Sequence, residues 1–153
     1  MGNDDLVRMV TEQDMELQDD GPDGPVYVTH WEVGYRVSFE AHWQVWFRDR
    51  GDAHVLGTFS DRDAALSFLV MQVGTMWRSL HGHPSLRAPG SLGSDAEVRG
   101  VEWAGGWAEF PAGASGGFHA ADYKRLVDAA PDASADDVAA AFVQPSGRPL
   151  FGA

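Results

Sequence analysis

The stretch VYVTHWEVGYRVSFEAHWQVWFRDRGDAHVLGTF, residues 26–59, is dense in β-branched and aromatic residues and is cut by Gly34 and by the turn-forming DRGD at 49–52. This pattern predicts three or four antiparallel strands, with Gly51 free to take the positive φ that tight hairpins often need. Side chains alternate across a strand, which assigns faces. Tyr35, Val37 and Phe39 share one side of their strand, and Trp43, Val45 and Phe47 share one side of the next, so these six are expected to line the core. The opposite faces carry Arg36, Ser38 and Glu40 beside Gln44, Trp46 and Arg48, a polar surface with one indole set in it.

Downstream, residues 60–80 read as the strongest helix. Ser60 is placed to cap free N–H groups, Asp61 and Asp63 sit in the positive first turn, and Leu66, Leu69, Val73, Met76 and Leu80 recur at three-and-four spacing. Gly82 and Pro84 end it, and a Gly-, Ser- and Pro-rich connector follows to about residue 95. EVRGVEW and GWAEF, around Gly105, predict a second short hairpin, followed by PAGASGG as a flexible turn. Two short helices close the chain. Tyr123, Leu126, Val127 and Ala130 share a face in the first, and Pro131 stops it; in the second, Ser134 and Asp137 resemble a capping box with Val138 and Phe142 facing inward. Upstream, Leu6, Met9, Val10 and Leu17 suggest a short helix before the DDGPDGP loop at 19–25. With no internal repeat, residues 1–153 are expected to form one α+β domain. About four to six antiparallel strands pack on the 60–80 helix, with residues 1–25 as a short helix and flexible loop leading in.

Composition narrows the function. The 153 residues carry 23 acidic and 11 basic side chains, a formal net charge of −12, which disfavours phosphate polymers and anionic lipid and steers basic partners. No run of about eighteen apolar residues exists, and MGNDDLVRMVTEQDMELQDD lacks the basic lead of a secretory signal. Leu6 occupies the Ser/Thr position of a myristoylation start and breaks that pattern. The absence of cysteine excludes disulfides, a thiolate zinc site and a cysteine nucleophile, and it suits a reducing compartment; cytoplasm is expected.

Chemistry-bearing motifs are sparse. GPDGP, PGSLG and GASGG lack the spacing of a dinucleotide loop or a P-loop and read as turns. No Gly-x-Ser-x-Gly marks a nucleophile. His81 and His83 stand two apart at a helix exit without further ligands nearby, and His30 and His42 fall on or beside strands without a local orienting partner. Glu32, Glu40, Glu102 and Glu109 offer carboxylate pairs of a kind that an acidic chain supplies by accident. No catalytic residue, metal ligand or cofactor is expected. The expected contact set is Trp46 with Arg36, Glu40, Gln44 and Arg48 around it and Asp49 and Asp52 at the adjoining turn, because Trp and Arg dominate binding hot spots once desolvated. The competing expectation is that a terminal helix covers Trp46.

Several pieces resemble the immunity protein 61 family of bacterial polymorphic-toxin systems, diffusely from Val26 to Phe151. They are WQVWFRDRG, then FSDRDAALSFLVMQVGTMWRS with its Ser-Asp start, Ala64-Ala65, Leu69 and Gly74-x-x-x-Arg78, then PSLRAP, the late helix holding Tyr123, and AAFVQPSGRPLF at 141–151. The resemblance implies an α+β antitoxin that binds and blocks a toxin domain encoded beside it, in some relatives an NAD-hydrolysing toxin of the tuberculosis-necrotizing-toxin type. The expected partner is therefore a toxin more basic than this chain, with no nucleic acid and no membrane. Two alternatives stand beside it: an acidic interaction or secretion-chaperone module that holds an unfolded or helical client segment, and a small ligand-binding domain or enzyme that uses the aromatic sheet as a pocket floor.

Overall fold

Residues 26–59 form four strands, β2 (Val26–Thr29), β3 (Val33–Glu40), β4 (His42–Asp49) and β5 (Asp52–Phe59), each antiparallel to the next. The computed structural model describes residues 4–84, 86, 99–111, 114–148 and 150, without the side chains of 114–119. Gly51 takes φ 96° and Arg50 φ 52° in the β4–β5 turn, as the DRGD signal requires. The expected hairpin is β6 (Gly100–Trp103) with β7 (Gly106–Glu109), and β7 adds to β5. A further strand, β1 (Glu16–Asp19), occupies part of the segment expected to be helix and loop, and it completes a seven-stranded sheet ordered β1-β2-β3-β4-β5-β7-β6. Its one apolar residue, Leu17, gives no alternation to detect; the β2 ladder and the Asp19–Arg62 ion pair at 2.9 Å hold it.

Four helices share the other face of the core: α1 (Asp4–Thr11), α2 (Arg62–Leu80), α3 (Ala114–Ala129) and α4 (Ala135–Val143). Leu6, Met9 and Val10 of α1, Phe68, Leu69 and Val73 of α2, Tyr123 and Leu126 of α3 and Val138 and Phe142 of α4 join Val28, Val37, Val45 and Phe59 in one buried cluster. None of the described helices is long and apolar enough to cross a membrane. The helix α3 begins at Ala114, inside the segment expected to be a flexible turn. The connector after Pro84 lies largely outside the described residues.

Several side chains depart from expectation for physical reasons. The N-cap of α2 is Asp61, which accepts from the Ala64 N–H at 2.8 Å, while the Ser60 hydroxyl accepts from Trp107 N–H at 2.8 Å and ties β7 to the helix entry. Because α1, α4 and the sheet enclose α2 on several sides, it is apolar around much of its circumference; in its last turn Trp77 and Arg78 are buried while Leu80 is 69% exposed. Phe39 is 60% exposed near the end of β3, where it meets Trp43 edge-on at 5.4 Å; Tyr35, Val37 and Val45 are buried, and Trp43 and Phe47 pack partly against the core. The Ser134–Asp137 capping box forms in both directions.

The Gly74-x-x-x-Arg78 spacing acquires a reason in three dimensions. Gly74 lies against the Phe142 ring so closely that an added Cβ would collide with it. One turn later, Arg78 reaches the chain that follows Phe142, donating to the carbonyls of Phe142, Gln144 and Pro145. The two motifs of the resemblance, in α2 and in the tail, are thus a single contact.

Candidate functional site

With the described helices gathered on one side, no described helix lies over the outer face of the sheet, and the outward side chains of β2, β3, β4 and β5 form its surface. Register places Tyr27 opposite Arg36, Arg36 opposite Trp46 and Trp46 opposite Val55, so a row crosses four strands. A β-bulge between Val45 and Trp46 lets Leu56 turn into the core while Val55 stays outside with Trp46. The guanidinium of Arg36 sits over the Trp46 ring at 4.8 Å, and the indole N–H donates to Gln44 Oε1 at 3.2 Å. Arg48 donates to the His30 carbonyl at 3.1 Å and lies beside Gly34, whose missing side chain leaves the floor open. Tyr27, Thr29, Gly34, Arg36, Trp46 and Arg48 enclose a shallow depression of about 230 Å³.

The site places two cations side by side on an acidic chain. Among the described residues the ion pairs use Arg8, Arg62, His81, Lys124 and Arg125, and neither Arg36 nor Arg48 has a carboxylate partner, although acids outnumber bases two to one. Arg36 Nε and Ser38 Oγ are also fully covered without a hydrogen-bond partner. A buried polar group left unpaired costs about 1–3 kcal/mol, so these two covered atoms weigh against the stability of this face.

Four of the seven expected contact residues therefore meet: Arg36, Gln44, Trp46 and Arg48. Glu40 lies exposed at the far end of β3 opposite His42, and Asp49 and Asp52 face each other, exposed, at the β4–β5 turn; none of the three lines the depression. Tyr27 and Thr29 complete the site and were not foreseen, because four-residue β2 shows its partner only once the register is known.

Packing accounts for His81 and His42. His81 stacks on Trp77 at 4.3 Å, and its Nε2 lies 3.1 Å from Glu12 Oε1, which also accepts from the Trp77 indole at 2.9 Å. That indole hydrogen bond is the chief cause holding the Glu12 carboxyl below its usual range, and the cluster fastens α1 to the end of α2. His42 meets the Trp107 ring edge-on at 4.9 Å. Among the described residues, no group of three His, Cys, Asp or Glu side chains is disposed to hold a metal.

No protein-family model matches the chain, and no curated protein matches it by sequence. Among solved structures, Rv3902c from M. tuberculosis is similar over 97% of this chain and 92% of its own, with a TM-score of 0.62 and 18% sequence identity. At that identity the likeness is one of fold.

Proposed function

We propose that this protein is an immunity protein that binds a cognate toxin domain in the cytoplasm and blocks it sterically, with the outer sheet face around Trp46 as its contact surface. The observation that carries this reading is the Arg36–Trp46 platform beside Arg48, two guanidinium groups without carboxylates on a face that no described helix covers. A Trp flanked by Arg that becomes desolvated on binding is the usual make-up of an interface hot spot, and guanidinium groups without a carboxylate of their own suit an Asp or Glu of the partner. The net charge of −12 steers a partner that is basic overall, while the local reversal at the platform fixes its register.

The size is adequate. The forty strand residues cover a planar area on the order of 600 Å², taking ~3.3 Å along and ~4.8 Å across each strand. A standard interface buries about 800 Å² per partner, so the sheet with its rim suffices. The resemblance of the α2 and tail motifs to the immunity protein 61 family supplies the class of partner, an adjacent toxin, with an NAD-hydrolysing activity as its finer form.

Co-expression with the toxin-like domain encoded beside the gene tests this. The expected outcome is restored growth and co-purification of the two chains, with rescue weakened by Trp46→Ala at unchanged soluble yield. Toxicity undiminished by the wild-type chain, with no complex recovered, would return the protein to an acidic binding domain without a partner.

A further inference from the structure

We propose that a second site, the cleft between the start of α2, the β6–β7 hairpin and the α3–α4 connection, binds an organic cation of the guanidinium or alkylammonium type. The cleft is on the helical side of the sheet and does not depend on the toxin-binding reading. It holds about 420 Å³, within the usual range for a small-ligand pocket, and Asp61, Asp63, Ser67, Trp103, Tyr123 and Asp132 line it together with apolar residues but no Lys or Arg.

Two of the carboxylates also have structural work. Asp61 Oδ1 accepts from the Ala64 N–H, and Asp63 Oδ1 accepts from the Ala135 N–H at 3.3 Å, so each acid serves a helix start through one oxygen. Capping does not explain the hydroxyls. Tyr123 is 3% and Ser67 4% exposed, both line the cleft, and neither side-chain oxygen has a hydrogen-bond partner among the described residues. Both residues are buried, yet neither oxygen is among the fully covered unpaired atoms, so each is reached from the cavity that the acids line.

The charges around them point to the ligand's sign. Burial is the main reason that the Tyr123 phenol is held above its ordinary range, and the Asp61 and Asp63 carboxylates raise it further, which puts its hydroxyl within their field. Burial likewise pushes the Asp63 carboxyl up, and Asp61, Asp136 and Asp137 add to it. A cation would relieve this crowding. Trp103, packed edge-on to Tyr123 at 6.2 Å, offers an aromatic wall for a cation–π contact. Guanidinium and ammonium groups bring donors only, which suits free carboxylate oxygens and hydroxyl lone pairs.

The test is a titration of the full chain at ~0.15 M salt, where the Debye length of about 8 Å suppresses attraction to the acidic surface at large. Two probes are used, agmatine and the peptide Gly-Gly-Arg-Gly-Gly, followed through the indole N–H resonance of Trp103. Saturable shifts at Trp103 and Gly105 are expected. Asp63→Asn, which keeps the bond to Ala135, should weaken binding at least tenfold, and Tyr123→Phe severalfold with an unchanged or raised Tm, since its hydroxyl lacks a partner. Ser67→Ala gives a second variant for the same readout. Binding of agmatine alone assigns a free small cation, and binding of the peptide as well assigns a protein side chain; both support the site. Shifts that do not saturate with either probe, or affinity indifferent to Asp63→Asn, would overturn it.

Discussion

Replacing Arg78 by Ala is expected to destabilise the protein by about 3–5 kcal/mol, because several main-chain carbonyls lose a charged donor at once, each at a cost of about 1–3 kcal/mol while it stays dry. Arg78 is 1% exposed and donates four hydrogen bonds to main-chain carbonyls: Nε to Pro84 at 2.9 Å, Nη1 to Phe142 and Gln144, both at 2.7 Å, and Nη2 to Pro145 at 2.8 Å. Burial lowers its pKa, but a guanidinium starts so high that it stays charged at any working pH. The charge is met by carbonyl dipoles, including those at the C-terminal end of α4, where a cation is favoured.

Removing the side chain leaves four acceptors without their donor, each worth about 1–3 kcal/mol if it stays dry, and relaxation of the 142–145 segment toward water recovers part. Whole-domain stability is only about 5–15 kcal/mol, so the loss is a large share. Arg78→Lys should recover little, because an ammonium cannot span four carbonyls arranged for a planar fork. Arg78→Met separates hydrogen bonding from volume and should fall nearer to Ala than to wild type. Urea unfolding followed by circular dichroism measures all three, and midpoints close to wild type would contradict this role.

The second large effect is expected in binding. Trp46→Ala should weaken the toxin complex by about 2 kcal/mol or more, roughly thirtyfold, while leaving the unfolding midpoint nearly unchanged because the indole lies on the outer face. Arg36→Ala should cost a comparable amount, and the double variant less than the two together, since the guanidinium stacks on the same ring at 4.8 Å. Dissociation rates of the immobilised complex measure this, because changes within one interface act mainly on the off-rate. Additive losses would contradict the coupling through the stacked pair, and a Trp46→Ala complex as durable as wild type would place the contact elsewhere.

Which parts of this molecule were legible in the sequence follows from how local each signal is. Strands β3 and β4 announce themselves through eight-residue alternation, β5 through the DRGD turn that precedes it, and α4 through a capping box that closes within four residues. The inward positions Tyr35, Val37 and Val45 follow from parity alone. Phe39 does not, since parity fixes the side of the sheet and not how far the helices extend over it. The strand β1 has too few apolar residues to alternate, and Ser60 and Asp61 are equally good caps until β7 arrives to claim the Ser60 hydroxyl.

The candidate site divides the same way. Arg36, Trp46, Gln44 and Arg48 come from adjacent strands joined by a short turn, so parity and hairpin register together bring them to one face. Tyr27 and Thr29 depend on the β2–β3 pairing, and Asp49 and Asp52 sit near in sequence but at the strand ends. The acidic cleft unites residues 61 and 67 at the start of α2, 103 from β6 and 123 from α3, three separate elements whose meeting no local pattern encodes.

The central claim is that this chain neutralises a folded toxin by occupying it. The most direct measurement is a titration of the purified neighbouring toxin domain's activity with the purified protein, in the presence of that toxin's own substrate. The expected result is a linear fall to complete inhibition at one equivalent, reached only at higher concentrations with Trp46→Ala. Full toxin activity in excess of the wild-type protein would contradict the account.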